Sequence, residues 1–318
     1  LKRMFFALAR ARLVTRSRLF PARLVTARAM AAKLSEAQVA QLAEALRAVP
    51  DSGTPSDLEQ ALSSLRELSP PVFPLEELDR AAVAVSALTK PLKERPQWQC
   101  GQGKRGLFFV FEGLDRSGKS TQSRKLRENL EKTGSKVEWM CFPNRETTIG
   151  TLIDLYLRKQ IELPDRAVHL FFSANRWETA TTIVEKLSQG VNVVCDRYAF
   201  SGVAYSAAKG LPFSWCQDCD RGLPVPDGVF FMHVAPEVGA SRAGFGDERY
   251  ENESMQTRVR AEFQSPDLRA GVQWQDVDGS RDIDVIHAEI CKQVESICQS
   301  EQENGARPLE RLWDSLTE

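Results

Sequence analysis

The first residues in this chain with the types and spacing to do chemistry are Gly113, Leu114, Asp115, Arg116, Ser117, Gly118, Lys119, Ser120 and Thr121. They fit the pattern G-x-x-x-x-G-K-[ST]. Glycines at both ends let successive backbone N–H groups face one concavity, and a following helix aims its positive end there. Lys119 adds a mobile charge, and Ser120 is placed to hold magnesium. The run sits between an apolar strand-like stretch and a helical one, so phosphate binding is expected. The competing reading is a glycine turn that only joins strand to helix. A guanine-reading N-K-x-D string is absent from the chain, which weighs against a GTPase.

A second set of cationic and aromatic residues follows, suited to a second small molecule. Phe142, Pro143, Asn144 and Arg145 sit at the carboxyl end of an apolar run, where ligands gather in open parallel sheets. Taken singly, Arg145 reads as a surface ion pair before it reads as a clamp. His169, Phe172, Ser173 and Arg176 recur at helical spacing and share one face. An aromatic ring beside a fixed guanidinium there could stack on a base and donate to its carbonyl; Phe172 as core with Arg176 snorkelling is the other reading. Asp196 closes a strand-like run and Arg197 follows it. That acid can act through a metal or its water and the arginine can neutralise phosphoryl oxygens, or the two are a strand-end ion pair. Arg242, Gly244, Gly246, Arg249 and Tyr250 lie in a glycine-hinged, charged stretch suited to a closing lid or to a solvated loop.

Positioning these groups requires strands that alternate with helices. Short apolar runs at 107–111, 137–142, 191–195, 229–234 and 274–277 are separated by longer helical patterns, which predicts a parallel sheet covered on both faces. The helix that carries Phe172 and Arg176 opens near Pro164 and ends at Gly190. The fold class is therefore α/β: a three-layer, doubly wound parallel sheet, preceded by a small all-α segment. That segment has three amphipathic patterns. Ser35 with Gln38 opens the first, Ser56 with Glu59 the second, and Pro74 the third. The expected organisation is a basic leader over 1–34, a small helical bundle over 35–92, a linker over 93–104, the α/β domain over 105–299 and a polar tail over 300–318 that is either a docking helix or a loose end.

Composition narrows the classes further. The chain has 318 residues, a net charge of −1, 42% hydrophobic and 27% charged residues, which excludes disorder throughout and a histone-like basic binder. Acids exceed bases between 36 and 104, so no nucleic-acid partner is expected; a protein partner or a spacer role fits the bundle better. No apolar run approaches the roughly 18 residues of a membrane span. The seven cysteines read as reduced thiols, and Cys216 with Cys219 lacks the second pair a structural zinc needs. The first 35 residues hold nine bases and no acid, the composition of a mitochondrial transit peptide; translation starting at Met30 would instead leave the protein in cytoplasm or nucleus.

The strings FEGLDRSGKSTQ, FPNRETTIG, HLFFSANRWE, DRYAFSGVAYSAAKG and GFGDERYE, in that order over about two thirds of the chain, resemble the successive motifs of eukaryotic-type thymidylate kinases. Asn144 and Glu146 depart from the Glu and Ser common there. The resemblance implies a P-loop kinase with a lid, usually a homodimer, that converts ATP and dTMP to ADP and dTDP with magnesium. It implies that Gly113, Asp115, Arg116, Ser117, Gly118, Lys119, Ser120 and Thr121 hold ATP, with Ser120 and Asp196 at the metal. Asp115, Phe142, Arg145, Phe172, Arg176, Arg197, Ser201, Gly202 and Tyr205 would hold dTMP, Phe172 stacking on thymine and Tyr205 crowding the 2′ position. Arg116, Lys119, Asp196 and Arg197 would be catalytic. A kinase for UMP, CMP or dUMP, or an inactive P-loop scaffold, are the alternatives.

Overall fold

The computed structural model describes residues 34–47, 54–68, 72–90, 94–98, 105–235, 248–304 and 308–314. The basic leader, Met30, Arg242, Gly244 and Gly246 lie outside the described residues. Five parallel strands run in the order β2-β3-β1-β4-β5: β1 Phe108–Gly113, β2 Val137–Cys141, β3 Asn192–Asp196, β4 Gly228–His233 and β5 Trp274–Asp278. Each expected strand is present, β1 and β3 displaced toward the C-terminus by one or two residues. The displacement matters, because it draws Glu112, Gly113 and Asp196 into the sheet. Every residue of β1 is buried, as a central strand with helices on both faces requires.

The alternation along β1 separates two cores. Phe108 and Val110 face one layer with Val193, Cys195, Val229 and Phe231. Phe109 and Phe111 face the other with Val194, Phe230 and Val277, under helices α4 Lys119–Lys132 and α11 Ile283–Asn304. The first layer is built on α5 Thr148–Leu157, α6 Asp165–Ser188, α7 Ala199–Ala207 and α8 Phe213–Asp220, while α9 Glu253–Phe263 and α10 Pro266–Arg269 pack on α7. Helix α6 opens after Pro164 and ends before Gly190, which has φ +73°. It has buried residues around most of its circumference, the mark of a helix with neighbours on several sides.

Those neighbours include the N-terminal helices α2 Pro55–Arg66 and α3 Leu75–Thr89, with α1 Glu36–Leu46 packed on α2. Leu42, Leu62, Leu78 and Val85 belong to the same continuous core as Phe171, Ala174 and Leu187. The Ser35–Gln38 capping box forms as expected. The second helix differs: Thr54 caps it with Asp57, not Ser56 with Glu59. Pro55 explains the shift, since its fixed φ and missing N–H suit the first helical position and put the cap at Thr54, two residues upstream. In the stretch expected to be a linker, Arg95 is 8% exposed and Trp98 packs on the core. The C-terminal boundary also moves. Helix α11 continues to Asn304, and Leu309, Leu312 and Trp313 are buried, held by Gly222 N–H to Leu312 O (2.9 Å) and Leu312 N–H to Leu223 O (2.7 Å). Residues 308–314 thus dock by backbone pairing rather than as a helix.

His169 shows how closely α6 is joined to α7 and α8. It is fully buried; Nε2 donates to the Cys216 carbonyl (3.0 Å), so Nδ1 accepts from the Ser206 hydroxyl (2.7 Å). Burial pushes the imidazole down to about 4. The unfolded chain therefore binds a proton that the folded one refuses, and the stability this group confers is lost as pH falls from about 6.5 toward about 4. A His169→Gln variant is expected to show a shallower fall of Tm over that window than the wild type; equal slopes would contradict the assignment.

Candidate active site

The loop after β1 owes its shape to glycine at two points. Gly113 has φ +136°, and a side chain there would collide with the Met232 carbonyl oxygen of β4; Gly118 has φ +101° at the start of α4. Such conformations cost glycine nothing and other residues strain. Arg116, at φ +60°, is the non-glycine residue of the loop held in that region. Its guanidinium meets Glu251 (Nη2 to Oε1 3.1 Å). Lys119 is 5% exposed and turns back into the cradle, donating to the Leu114 carbonyl and to Ser117 Oγ (3.3 Å). Burial, reinforced by nearby Arg197, pushes its ammonium down to about 8. Ser120 Oγ donates to the Asp196 carboxylate. Thr121 is exposed one position further along α4.

The parallel register pairs Phe111 with Asp196, so the ends of β1 and β3 lie side by side. Arg197, at φ +66°, crosses the gap between them. Its side chain donates to the Gly113 carbonyl (3.0 Å), to Ser201 Oγ (3.1 Å) and to the Asp115 carboxylate. Burial would raise the Asp115 carboxyl, but Arg197 and Lys119 outweigh it and hold it below the usual range. Tyr205 donates to Asp115 Oδ2 at 2.9 Å, and its ring lies 5.4 Å from the Arg197 guanidinium.

Two residues of this cluster were not singled out in the sequence. Glu112 is fully buried and accepts from the Tyr198 and Ser201 N–H groups (2.9 and 3.0 Å), closing the open start of α7. Burial raises its carboxyl. The available signal was an acid inside an otherwise apolar strand. Gln256 of α9 pairs with Asp115 at both ends: it accepts from the Asp115 N–H (3.0 Å) and donates to its Oδ2 (2.7 Å). Nothing local in the sequence marked it.

On the opposite side, Arg176 is 1% exposed and gripped by Asp220 of α8 through Nε (3.0 Å) and Nη2 (2.5 Å). A Cβ on Gly202 would lie 2.5 Å from Nη2, so glycine is what lets α7 approach this guanidinium. Asp220 also accepts from Ser173 (2.7 Å), so the helix face read from the sequence is a hydrogen-bonded seam. Phe172 is half-buried against the core, and Phe142 is buried with its ring 6.0 Å from that of Tyr198. Arg145 meets Asp154 (2.5 Å) and Glu248 (2.7 Å). Of the described lid residues, Arg249 points away from the cradle: it stacks over Tyr156 and binds the Tyr156 carbonyl (3.0 Å) and Glu162 (2.7 Å). Tyr250 stands 5.5 Å from the Tyr205 ring, ring centre to ring centre. Cys216 and Cys219 are buried on α8 and burial raises both thiols.

A glycine cradle at the carboxyl end of a central parallel strand, with Arg197 held against its Asp115, defines a P-loop nucleotide kinase. The family model described as thymidylate kinase matches residues 111–290, more than half of the chain, and the chain belongs to that family. It is 43% identical over 218 residues to a thymidylate kinase of Caenorhabditis elegans and 46% identical over 211 residues to that of Homo sapiens. Each alignment spans 66% of this chain and 98% of the relative. A solved thymidylate kinase structure from Candida albicans superposes with a TM-score of 0.55 at 36% identity, covering 60% of this chain and 92% of that one. The chain is accordingly a nucleoside monophosphate kinase, a phosphotransferase that uses ATP as donor.

The position of Lys119 has a measurable consequence. Nucleotide phosphates favour the charged ammonium, so above pH of about 8 binding must take up a proton. ATP affinity is expected to weaken as pH rises through about 8, with calorimetry in two buffers of different ionisation enthalpy reporting proton uptake; a buffer-independent heat would contradict it.

Proposed function

We propose that the chain transfers the γ-phosphoryl group of ATP to dTMP, giving ADP and dTDP for dTTP synthesis. The observation that carries this reading is that Asp115 of the P-loop and Arg197 at the end of β3 are bonded to each other, so the phosphate-binding loop and an acceptor-side cation lie side by side. Backbone N–H groups from Gly113 to Thr121 and Lys119 take the ATP phosphates. Arg145 and Arg197 take the dTMP phosphate, each leaving a carboxylate partner to do so. Phe172 stacks on thymine with Phe142 beneath the pocket, and Arg176, aimed by Asp220, donates to a ring carbonyl. Ser201 and Gly202 line the wall, Asp115 meets the 3′-hydroxyl, and Tyr205 crowds the 2′ position, favouring deoxyribose.

The acceptor is already an anionic oxygen, so no general base is required; catalysis is alignment and cancellation of charge. Arg116 is the mobile cation for the transferring group, released from Glu251 as the lid segment moves. Ser120 Oγ and the Asp196 carboxylate are hard oxygen donors side by side. They fit magnesium, which takes one or two protein oxygens and completes its shell with phosphates and water. Bound there, magnesium supplies charge neutralisation at the β- and γ-oxygens.

The resemblance also implies a homodimer, and we extend the proposal to that. Light scattering giving twice the 35.6 kDa chain mass tests it. A protein partner for the helical segment and a mitochondrial address for the basic leader complete the proposal. Localising the protein expressed from Leu1 and from Met30 tests the address.

ADP release with dTMP, dUMP, UMP, CMP and dGMP as acceptors is expected to rank dTMP first; preference for CMP or UMP would overturn the substrate. Arg116→Ala is expected to lower kcat by a factor of order 10³ with little change in dTMP KM; an unchanged rate removes Arg116 from the mechanism.

A further inference from the structure

The helices α1–α3 precede residue 111, where the family match begins, yet two ties from this part of the chain end on the walls of the acceptor pocket. Glu77, in the first turn of α3, accepts a hydrogen bond from Thr148 Oγ1 at 3.0 Å. Thr148 is 2% exposed and begins α5, directly beyond the loop that carries Arg145. The same loop is held from its other side by α6. Asn175 accepts from the Asn144 N–H (2.7 Å) and donates to the Asn144 carbonyl (3.2 Å), and Glu178 accepts from Thr147 (2.8 Å). The Arg145 loop is thus gripped between α6 and α3.

The second tie is Arg95, 8% exposed. Its Nε donates to the Lys90 carbonyl (3.2 Å), and its Nη1 donates to the carbonyls of Asp218 (2.9 Å) and Arg221 (2.5 Å). One guanidinium therefore joins the end of α3 to the end of α8. The two carbonyls flank Asp220, whose carboxylate aims Arg176. Trp98 adds a bond from Nε1 to the Gly222 carbonyl at 2.8 Å. A guanidinium withdrawn from water is tolerated only when its donors are used, so Arg95 fixes the backbone around Asp220 rather than merely touching it.

We propose that α3 and the stretch 94–98 brace the acceptor pocket, fixing the Arg145 loop relative to the Arg176–Asp220 pair, and that Glu77, Arg95 and Trp98 are positioning residues for the acceptor nucleotide. This rests on the reading of that pocket as the dTMP site. Walls borne on separate elements must otherwise be ordered by the ligand itself, at a cost to its affinity.

The test uses the full chain with Glu77→Ala, Trp98→Phe and Arg95→Ala. The KM for dTMP is expected to rise about threefold in the first two and about tenfold in the third, with the KM for ATP and kcat within about twofold. Hydrogen exchange is expected to quicken at residues 144–148 in Glu77→Ala and at 216–222 in the other two, and to stay unchanged at 113–120. Folded variants with unaltered dTMP KM and unaltered exchange, or with both KM values raised equally, overturn the brace. Should Arg95→Ala not fold, the two milder variants decide. A wild-type protein that does not phosphorylate dTMP defeats the proposed substrate, while the exchange measurements still decide the brace.

Discussion

The contact between the Arg197 guanidinium and the Asp115 carboxylate is the constraint around which the site is built. Both groups are withdrawn from bulk water, with side-chain exposures of 18% and 21%, and a pair so placed gains little net stability because desolvation offsets the attraction. Its worth lies in preparation. Arg197 is held by the Gly113 carbonyl, Ser201 and Asp115 at once, so an arriving phosphate meets a guanidinium already fixed in place. Burial, with the same positive charge added, presses Lys119 toward neutrality, and an anion entering between them relieves both. Two substrates that repel each other are thereby admitted side by side because Arg197, Lys119 and Arg145 are held ready by carboxylate and carbonyl partners that an arriving phosphate replaces.

Everything that aims this contact is a matter of backbone placement. The pairing of Phe111 with Asp196 puts the ends of β1 and β3 in register. Gly113 lets β1 turn away under Met232 without collision. Glu112 answers the open N–H groups of α7, which carries Ser201, Gly202 and Tyr205. A single hexapeptide strand, Phe108–Gly113, therefore serves both cores and supplies the loop, the helix cap and the carboxylate at its end. Helix α6 does the corresponding work on the other wall, with Arg176 held by Asp220 of α8 and the helix itself packed against α2 and α3.

Much of this was legible in the residues. The loop pattern fixed its own position because phosphate binding by backbone requires those glycines, and the short apolar runs located all five strands because a buried parallel strand has little polar sequence to confuse it. The helical spacing of His169, Phe172, Ser173 and Arg176 correctly put them on one face. What it could not say was what that face meets: Asp220 lies 44 residues away and is brought in only by α8. Gln256 was invisible for the same reason, its pairing with Asp115 spanning 141 residues. The cap of α2 was misplaced by two residues because Ser56 with Glu59 and Thr54 with Asp57 offer the same chemistry, and only Pro55 discriminates. Amphipathic patterns in α1–α3 told that a partner exists; they did not tell that it is the kinase domain of the same chain. Of the charged stretch expected to close as a lid, Arg249 faces α5 instead, because the Tyr156 ring and Glu162 satisfy it there.

The central claim, that cations held ready by carboxylates wait for the acceptor's phosphate, is tested most directly by calorimetry of dTMP and thymidine on the wild type and on Arg197→Ala. The wild type should bind dTMP on the order of a hundredfold more tightly than thymidine, and the substitution should erase most of that ratio while leaving thymidine binding nearly unchanged. A ratio that survives the loss of Arg197 would contradict the account.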